Sequence, residues 1–253
     1  MRVETGQPGG NDYWVVLARY GRTHWWTAGM RAIGWAVLGE ITGRVLDDGC
    51  GPGWTLAELP SGAWGIGIDR QTMPGPARPT AFGQPLPRPG RLRLAAAEAG
   101  RLPFPDASFE IVLALDLLEQ RLVDPGQALA EARRVLAPGG RLLARVPAYP
   151  WLFGPHDYYW GGTRRYRRAE FAGLVEGAGF TIRRLTYANS LLFPLQAGGR
   201  LLGRAGLLGG ADLLPLPLPL NRLLAGVLAT EARWLRRHNL PLGLSLICLA
   251  ERL

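Results

Sequence analysis

The sequence predicts an α/β domain whose sheet is mostly parallel and covered by helices on both faces. Two observations carry this. Short apolar segments that close on an acid or a glycine alternate with segments of helical period. The first such segment, Arg44-Val45-Leu46-Asp47-Asp48, runs straight into three alternating glycines, Gly49, Gly51 and Gly53. Glycines at that spacing let the chain turn sharply and bring bare backbone close to a ligand. An acid at the strand end accepts hydrogen bonds from an amine or a hydroxyl and repels a phosphate, so the pattern suits a neutral or cationic nucleoside-type ligand.

In order, residues 1–12 read as a loose leader. From Asn11 to Glu40 the pattern is helical, with Trp25, Trp26, Met30, Ile33, Trp35, Val37 and Leu38 on a broad apolar face. Gly43 punctuates before the first strand, Arg44–Asp48, and a short helix is expected from Trp54, its amino terminus aimed back over the glycine loop. Ala63–Asp69 is a second strand, again ending on an acid. Gln71–Pro89 holds six prolines, which predicts an irregular crossover instead of a helix.

Arg91–Glu98 and Phe109–Leu115 follow as third and fourth strands. The next helix has Asp124 as its cap and Pro125 in its first turn. Ala128, Leu129, Ala132, Val135 and Leu136 share its apolar face, and Pro138-Gly139-Gly140 ends it. Arg141–Val146 is the fifth strand. After a polar, aromatic loop from Pro147 to Tyr166, Arg168–Ala178 is a helix with Phe171, Leu174 and Val175 inward and Gly179 as its stop. Phe180–Tyr187 and Gly243–Ala250 complete seven strands. Between these two lies an insertion rich in Leu, Gly and Pro (Leu191–Leu220) and a basic helix near Asn221–Arg237. The implied organisation is an amino-terminal helical segment (1–43), a ligand-binding core (44–190), a cap (191–242) and a final core strand (243–253).

Composition narrows the partners. The 253 residues carry a formal charge of +9, which alone would raise nucleic acid or an anionic membrane. All 29 basic residues are arginine, however, a compositional habit more than a basic surface, and none is interleaved with an aromatic reader motif, which argues against nucleic acid. Cys50 and Cys248 lie too far apart to suggest a metal or disulfide framework, and a reducing, cytoplasmic setting is expected. The polar amino terminus is not that of a signal peptide. No uncharged apolar run reaches the ~18 residues needed to span a bilayer.

Strand, glycine loop, helix, strand and acid leave two nucleoside-cofactor readings open. A nicotinamide dinucleotide site wants G-x-G-x-x-G, which the spacing of Gly49, Gly51 and Gly53 fits poorly. Val45-Leu46-Asp47-Asp48-Gly49-Cys50-Gly51-Pro52-Gly53, Gly67-Ile68-Asp69, Leu102-Pro103-Phe104-Pro105-Asp106-Ala107-Ser108-Phe109-Glu110, Leu115-Asp116-Leu117-Leu118-Glu119 and Glu131-Ala132-Arg133-Arg134-Val135-Leu136-Ala137-Pro138-Gly139-Gly140 stand in order along the chain. Together they resemble the motifs of the class I S-adenosylmethionine-dependent methyltransferases, of the kind called methyltransferase type 11. The resemblance implies a Rossmann-like, seven-stranded fold and S-adenosylmethionine as methyl donor, leaving S-adenosylhomocysteine as product. It implies backbone of Gly49, Cys50, Gly51 and Gly53 around the methionine and ribose, Asp47 near the amino group, Asp69 on the ribose hydroxyls, Glu98 and the Ala99 amide at the adenine, and Asp116 near the sulfonium. Asp48 departs from a usually apolar position, and Gln120 from one where His is frequent.

Methyl transfer asks a protein mainly for in-line positioning and exclusion of water, with a base only if the acceptor must lose a proton. The expected acceptor wall is Tyr149–Trp160, where His156 beside Asp157 is the base candidate by residue type and place. Arg164, Arg165, Arg167 and Arg168 fit either a solvated face or an anionic acceptor. On the basic helix Leu223, Leu224, Val227, Leu228 and Leu235 share a face that Glu231 interrupts. The segment reads either as a lid on the sheet, which would suit a small-molecule or lipid-like acceptor, or as an element touching a membrane peripherally. A catalytically silent cofactor-binding partner protein is the second functional class that these motifs allow, and an NAD(P)-dependent oxidoreductase the less favoured third.

Overall fold

The computed structural model describes residues 17–18, 20–70, 92–204 and 216–253. Seven strands form one sheet: β1 (Gly43–Asp48), β2 (Ala63–Asp69), β3 (Leu92–Ala96), β4 (Phe109–Leu115), β5 (Leu136–Pro147), β6 (Thr181–Ala188) and β7 (Ser245–Glu251), in the order β3-β2-β1-β4-β5-β7-β6. The first five strands are parallel, and β7 runs antiparallel between β5 and β6. The helices are α1 (Trp25–Leu38), α2 (Pro125–Val135), α3 (Pro155–Tyr159), α4 (Arg168–Gly177), α5 (Phe193–Arg204) and α6 (Leu218–Leu235).

Neighbouring residues on each strand point to opposite faces, so both faces are apolar. Leu46, Val112, Ala114, Leu142 and Cys248 pack on one side against Leu129, Ala132 and Val135 of α2 and Phe171 and Val175 of α4. Val45, Ile111, Leu113, Leu143 and Ile247 pack on the other against Met30 and Ile33 of α1 and Leu228 and Leu235 of α6. The α1–α6 crossing is tight at Gly29, where a Cβ would stand 2.4 Å from a Leu228 methyl. The expected cap of α2 forms, with Asp124 Oδ1 accepting from the Gln127 amide at 2.9 Å.

Several boundaries differ from expectation. The helical pattern of Asn11–Glu40 breaks before α1 at residues 21–24, because Arg31 draws the Gly21 and Arg22 carbonyls onto its guanidinium. Its first residues lie outside those described, as does the proline-rich Gln71–Pro89 crossover. The helix expected from Trp54 shrinks to a single 3-10 turn, Leu56–Glu58: Pro60 follows at once and β2 begins at Ala63. Strand β5 starts earlier than Arg141, since Leu136 already pairs with Phe109, and Ala137–Gly140 bulge out where Gly139 adopts φ +74°. Within the expected insertion the chain forms α5, whose Ala197 is buried with Leu152 and Leu244.

Candidate functional site

At the carboxyl ends of β1, β2, β4 and β5 a cavity of about 250 Å³ opens beside the glycine loop. It lies where the strand order reverses between β1 and β4, the usual crevice of an open α/β sheet. Gly49, Gly51 and Gly53 take φ of +81°, +53° and +84°, which a side chain would strain. The loop is pinned to β2 by the Gly49 and Cys50 amides, both donating to the Ile68 carbonyl at 2.9 Å. Gly67 makes the close approach feasible, because a Cβ there would stand 2.6 Å from Cys50 Sγ.

The sequence-predicted residues divide into two groups. Asp47, Gly49, Cys50, Gly51, Asp69, Asp116, His156 and Asp157 all line the cavity. Asp69 Oδ2 accepts from the Gly51 amide at 3.1 Å, tying the second acid to the loop. Gly53 is buried behind the loop, where a Cβ would press on Leu94 at 3.1 Å. Glu98 and Ala99 are not among the lining residues: the Glu98 side chain is 69% exposed and pairs with Arg70 at 3.7 Å, and Ala99 belongs to the core. The neighbouring crossover, residues 71–91, lies outside those described.

Asp47 is buried, and its Oδ2 has no hydrogen-bond partner among the described residues. Burial, with Asp69 adding repulsion and Arg145 opposing, pushes its carboxyl up to about 7. Asp48 is also buried, and burial with Asp47 as its neighbour raises it to about 8. The Cys50 thiol is driven upward by burial and the surrounding acids, which makes it a packing group and not a nucleophile.

The opposite end of the cavity holds charges that the strand pattern conceals. Asp116, at φ +57°, receives Arg145 Nε at 2.9 Å and Nη2 at 2.5 Å. Gln120, at the position where His is frequent, donates to the Asp116 carbonyl at 3.1 Å and so holds the β4 exit. Asp157 accepts from Arg165 Nε at 3.0 Å and from the Gly154 amide at 2.9 Å. Arg165 is thus buried, whereas Arg164, Arg167 and Arg168 are exposed, so the arginine run is split between wall and solvent. Of the expected aromatic wall, His156, Asp157 and Trp160 reach the cavity; Trp151 and Tyr158 are exposed. From α5 come Gln196 and Arg200, while Leu195, Leu201 and Leu202 face solvent. Among the described residues, no leucine of 191–242 lines the cavity.

Sequence reasoning missed Arg145, Trp26 and Arg200 and gave Glu119 no role. One signal was available for Arg145: a lone charge in the run Leu142-Leu143-Ala144-Arg145-Val146 has to be paired once buried.

Comparison with known proteins places this arrangement. Residues 46–144 match the family model described as "Methyltransferase domain". An uncharacterized 37.1 kDa protein in a transposon of Streptomyces fradiae is 35% identical over 176 residues, 62% of this chain and 49% of that protein. A probable S-adenosylmethionine-dependent methyltransferase of Mycolicibacterium smegmatis is 31% identical over 145 residues, 54% of this chain and 52% of that one. The chain thus spans about half the length of these curated relatives. Geranyl diphosphate C-methyltransferase of Streptomyces coelicolor shares the fold, with a TM-score of 0.58 at 16% identity over 90% of this chain and 76% of that one. The chain therefore carries, at residues 46–144, a methyltransferase domain of the class I, S-adenosylmethionine-dependent kind.

Proposed function

We propose that the cavity binds S-adenosylmethionine at its glycine-loop end and a small-molecule acceptor at its Arg145 end, and that the protein transfers a methyl group between them. The carrying observation is the buried Asp47 oxygen, without a hydrogen-bond partner among the described residues, beside a loop of left-handed glycines. A site with an orphan acceptor, a second acid and bare backbone fits an ammonium and a ribose. When bound, the sulfonium supplies an already activated methyl group. The protein's part is to hold and align: Asp47 takes the ammonium, Asp69 the two ribose hydroxyls, and the Gly49–Gly53 backbone lies along the chain between them. Asp116 stands at the end of β4 where the two halves of the cavity meet. Glu98 and the Ala99 amide are assigned to the adenine edge, an assignment supported by their place just after β3.

On the acceptor side His156 and Asp157 belong to the wall. Asp157 acts as a positioning residue, since its carboxylate anchors Arg165 and the first turn of α3. The inward polar face of α5 supports residues 191–242 as a cap over a polar small molecule more than over a lipid-like one. No helix among the described residues is long and apolar enough to cross a membrane. Peripheral contact would draw on outward apolar side chains of this segment, Leu195, Leu201, Leu202 and Leu223 among those described.

The test is calorimetry with S-adenosylhomocysteine. Wild-type protein should bind it, and Asp69→Ala should weaken binding by about 100-fold or more, since two hydrogen bonds to a charged group contribute about 1.5–3 kcal/mol each. Unchanged affinity in that variant refutes the ribose assignment.

A further inference from the structure

Three arginines (Arg145, Arg165, Arg200) and three carboxylates (Asp116, Glu119, Asp157) line the acceptor end of the cavity. Two of the carboxylates are engaged inside the wall, Asp116 by Arg145 and Asp157 by Arg165. Glu119 is not. It is 6% exposed, and its Oε2 has no hydrogen-bond partner among the described residues. Its position is nevertheless fixed: the Glu119 carbonyl accepts from the Thr163 amide at 2.9 Å and from Thr163 Oγ1 at 3.1 Å, and the Leu118 carbonyl beside it accepts from Tyr166 Oη at 2.7 Å. Arg145 is its counterpart, equally buried, with Nε and Nη2 on Asp116 and Nη1 lacking any partner among the described residues.

A buried donor and a buried acceptor left unmade each cost about 1–3 kcal/mol, and because both residues line the same cavity, a ligand group that drew on both would recover that cost. The group needs an oxygen with a lone pair for Arg145 and a proton for Glu119, and a second lone pair to attack the methyl carbon. A hydroxyl meets all three requirements. An amine has one lone pair, and using it in attack leaves Arg145 unserved. The proton that Glu119 takes must still be on the oxygen when the acceptor binds, which favours a neutral acceptor over an anionic one. Trp26, with Arg145 5.3 Å from its ring centre, and Trp160 supply flat apolar walls.

We propose that the acceptor is a neutral phenol methylated on oxygen, that Arg145 Nη1 holds its hydroxyl oxygen, and that Glu119, not His156, takes its proton. This rests on the methyltransferase reading of the cavity. In the step, the phenol oxygen forms its bond to the methyl carbon as the carbon–sulfur bond breaks with its electron pair left on sulfur. The phenol proton passes to the Glu119 carboxylate and from there to solvent. Burial foremost, with Asp116 adding to it, holds the Glu119 carboxyl well above the usual range, while Arg145 and Arg165 pull it down. His156, Asp157 and Arg200 share the same cavity. A strengthened carboxylate base matches a phenol, whose pKa is about 10, far better than an alcohol near the ~15.7 of water.

The experiment saturates the protein with S-adenosylhomocysteine and titrates 4-nitrophenol, following heat and the visible band of its phenolate. Wild type should bind one equivalent and show the band below the pH at which the free probe ionises. Glu119→Gln should lose the band and weaken the probe by about tenfold or more, with S-adenosylhomocysteine affinity held within about twofold as the control for folding. Glu119→Asp should restore part of the band. The proposal is overturned if wild type does not bind the probe, if 4-nitroanisole binds as tightly, if Glu119→Gln keeps the band, or if His156→Gln alone removes it. Failure of wild type to bind S-adenosylhomocysteine, seen before any probe is added, overturns the methyltransferase reading and this proposal with it.

Discussion

Asp47 and Asp48 sit at the end of a parallel strand with water excluded, and the fold holds both carboxyls far above their unfolded range, at about 7 and about 8. In the unfolded chain each releases its proton near pH 4, whereas the native state keeps it until near neutrality. The native state thus binds more protons between those limits, and the contribution of these two groups to stability falls as pH rises through 4 to 8. Asp48→Asn should therefore raise the melting temperature at pH 8.5 and leave it nearly unchanged at pH 4, a comparison that differential scanning calorimetry makes directly. A cationic ligand at Asp47 has the opposite dependence, because an ammonium stabilises the ionised carboxylate. S-adenosylhomocysteine affinity should rise from pH 5 to 8, by up to about tenfold per pH unit below neutrality. Asp47→Asn should both weaken binding and flatten that profile. A wild-type affinity independent of pH would place the amino group elsewhere.

Elements differ in how much of themselves the sequence shows. The strands were legible because strands buried on both faces read as unbroken apolar runs, and α2 because its cap, first-turn proline and 3.6-residue period agree. The helix after β1 was misjudged because Trp54 opens a helical pattern that Pro60 cuts short. Helix α5 was invisible because Pro194, Gly198 and Gly199 are poor helix formers; its burial against Leu152 and Leu244 overrides that preference. Glu231 shows the same override within α6. On a helical wheel it interrupts an apolar face, yet it is 2% exposed and accepts from the amides of Asn189 at 2.5 Å, Ser190 at 2.7 Å and Leu191 at 3.1 Å. A buried carboxylate thereby fixes the turn that sends α5 over the cavity. Glu231→Ala leaves three amides unserved, two of them buried, and should destabilise the protein by about 3 kcal/mol, seen as a lower urea midpoint at unchanged slope. Glu231→Gln, which keeps one acceptor oxygen, should lose less.

At the scale of the molecule, the order β3-β2-β1-β4-β5-β7-β6 decides what the local patterns cannot. Asp47, the glycines and Asp69 were legible because they lie within one strand-loop-strand unit, about twenty residues of continuous chain. Trp26, Glu119, Arg145, Arg165 and Arg200 come from α1, the β4 exit, β5, the loop before α4 and α5, and only the folded topology assembles them. Both groups face one cavity, so a nucleoside ligand that fills the glycine-loop end couples to the stability of the whole sheet. A ligand that binds the native state alone stabilises it by about 4 kcal/mol at a thousandfold excess over Kd. In a chain of this size each kcal/mol moves the melting temperature by about 2–4 °C, so S-adenosylhomocysteine at that excess should raise it by about 8–16 °C. NADH at the same concentration should leave it unmoved, because Gly49, Gly51 and Gly53 do not have the dinucleotide spacing and the buried Asp47 carboxyl stands beside the loop that would hold its pyrophosphate. Thermal scans of the two ligands side by side separate the cases: stabilisation by NADH without stabilisation by S-adenosylhomocysteine would return the glycine loop to a dinucleotide site.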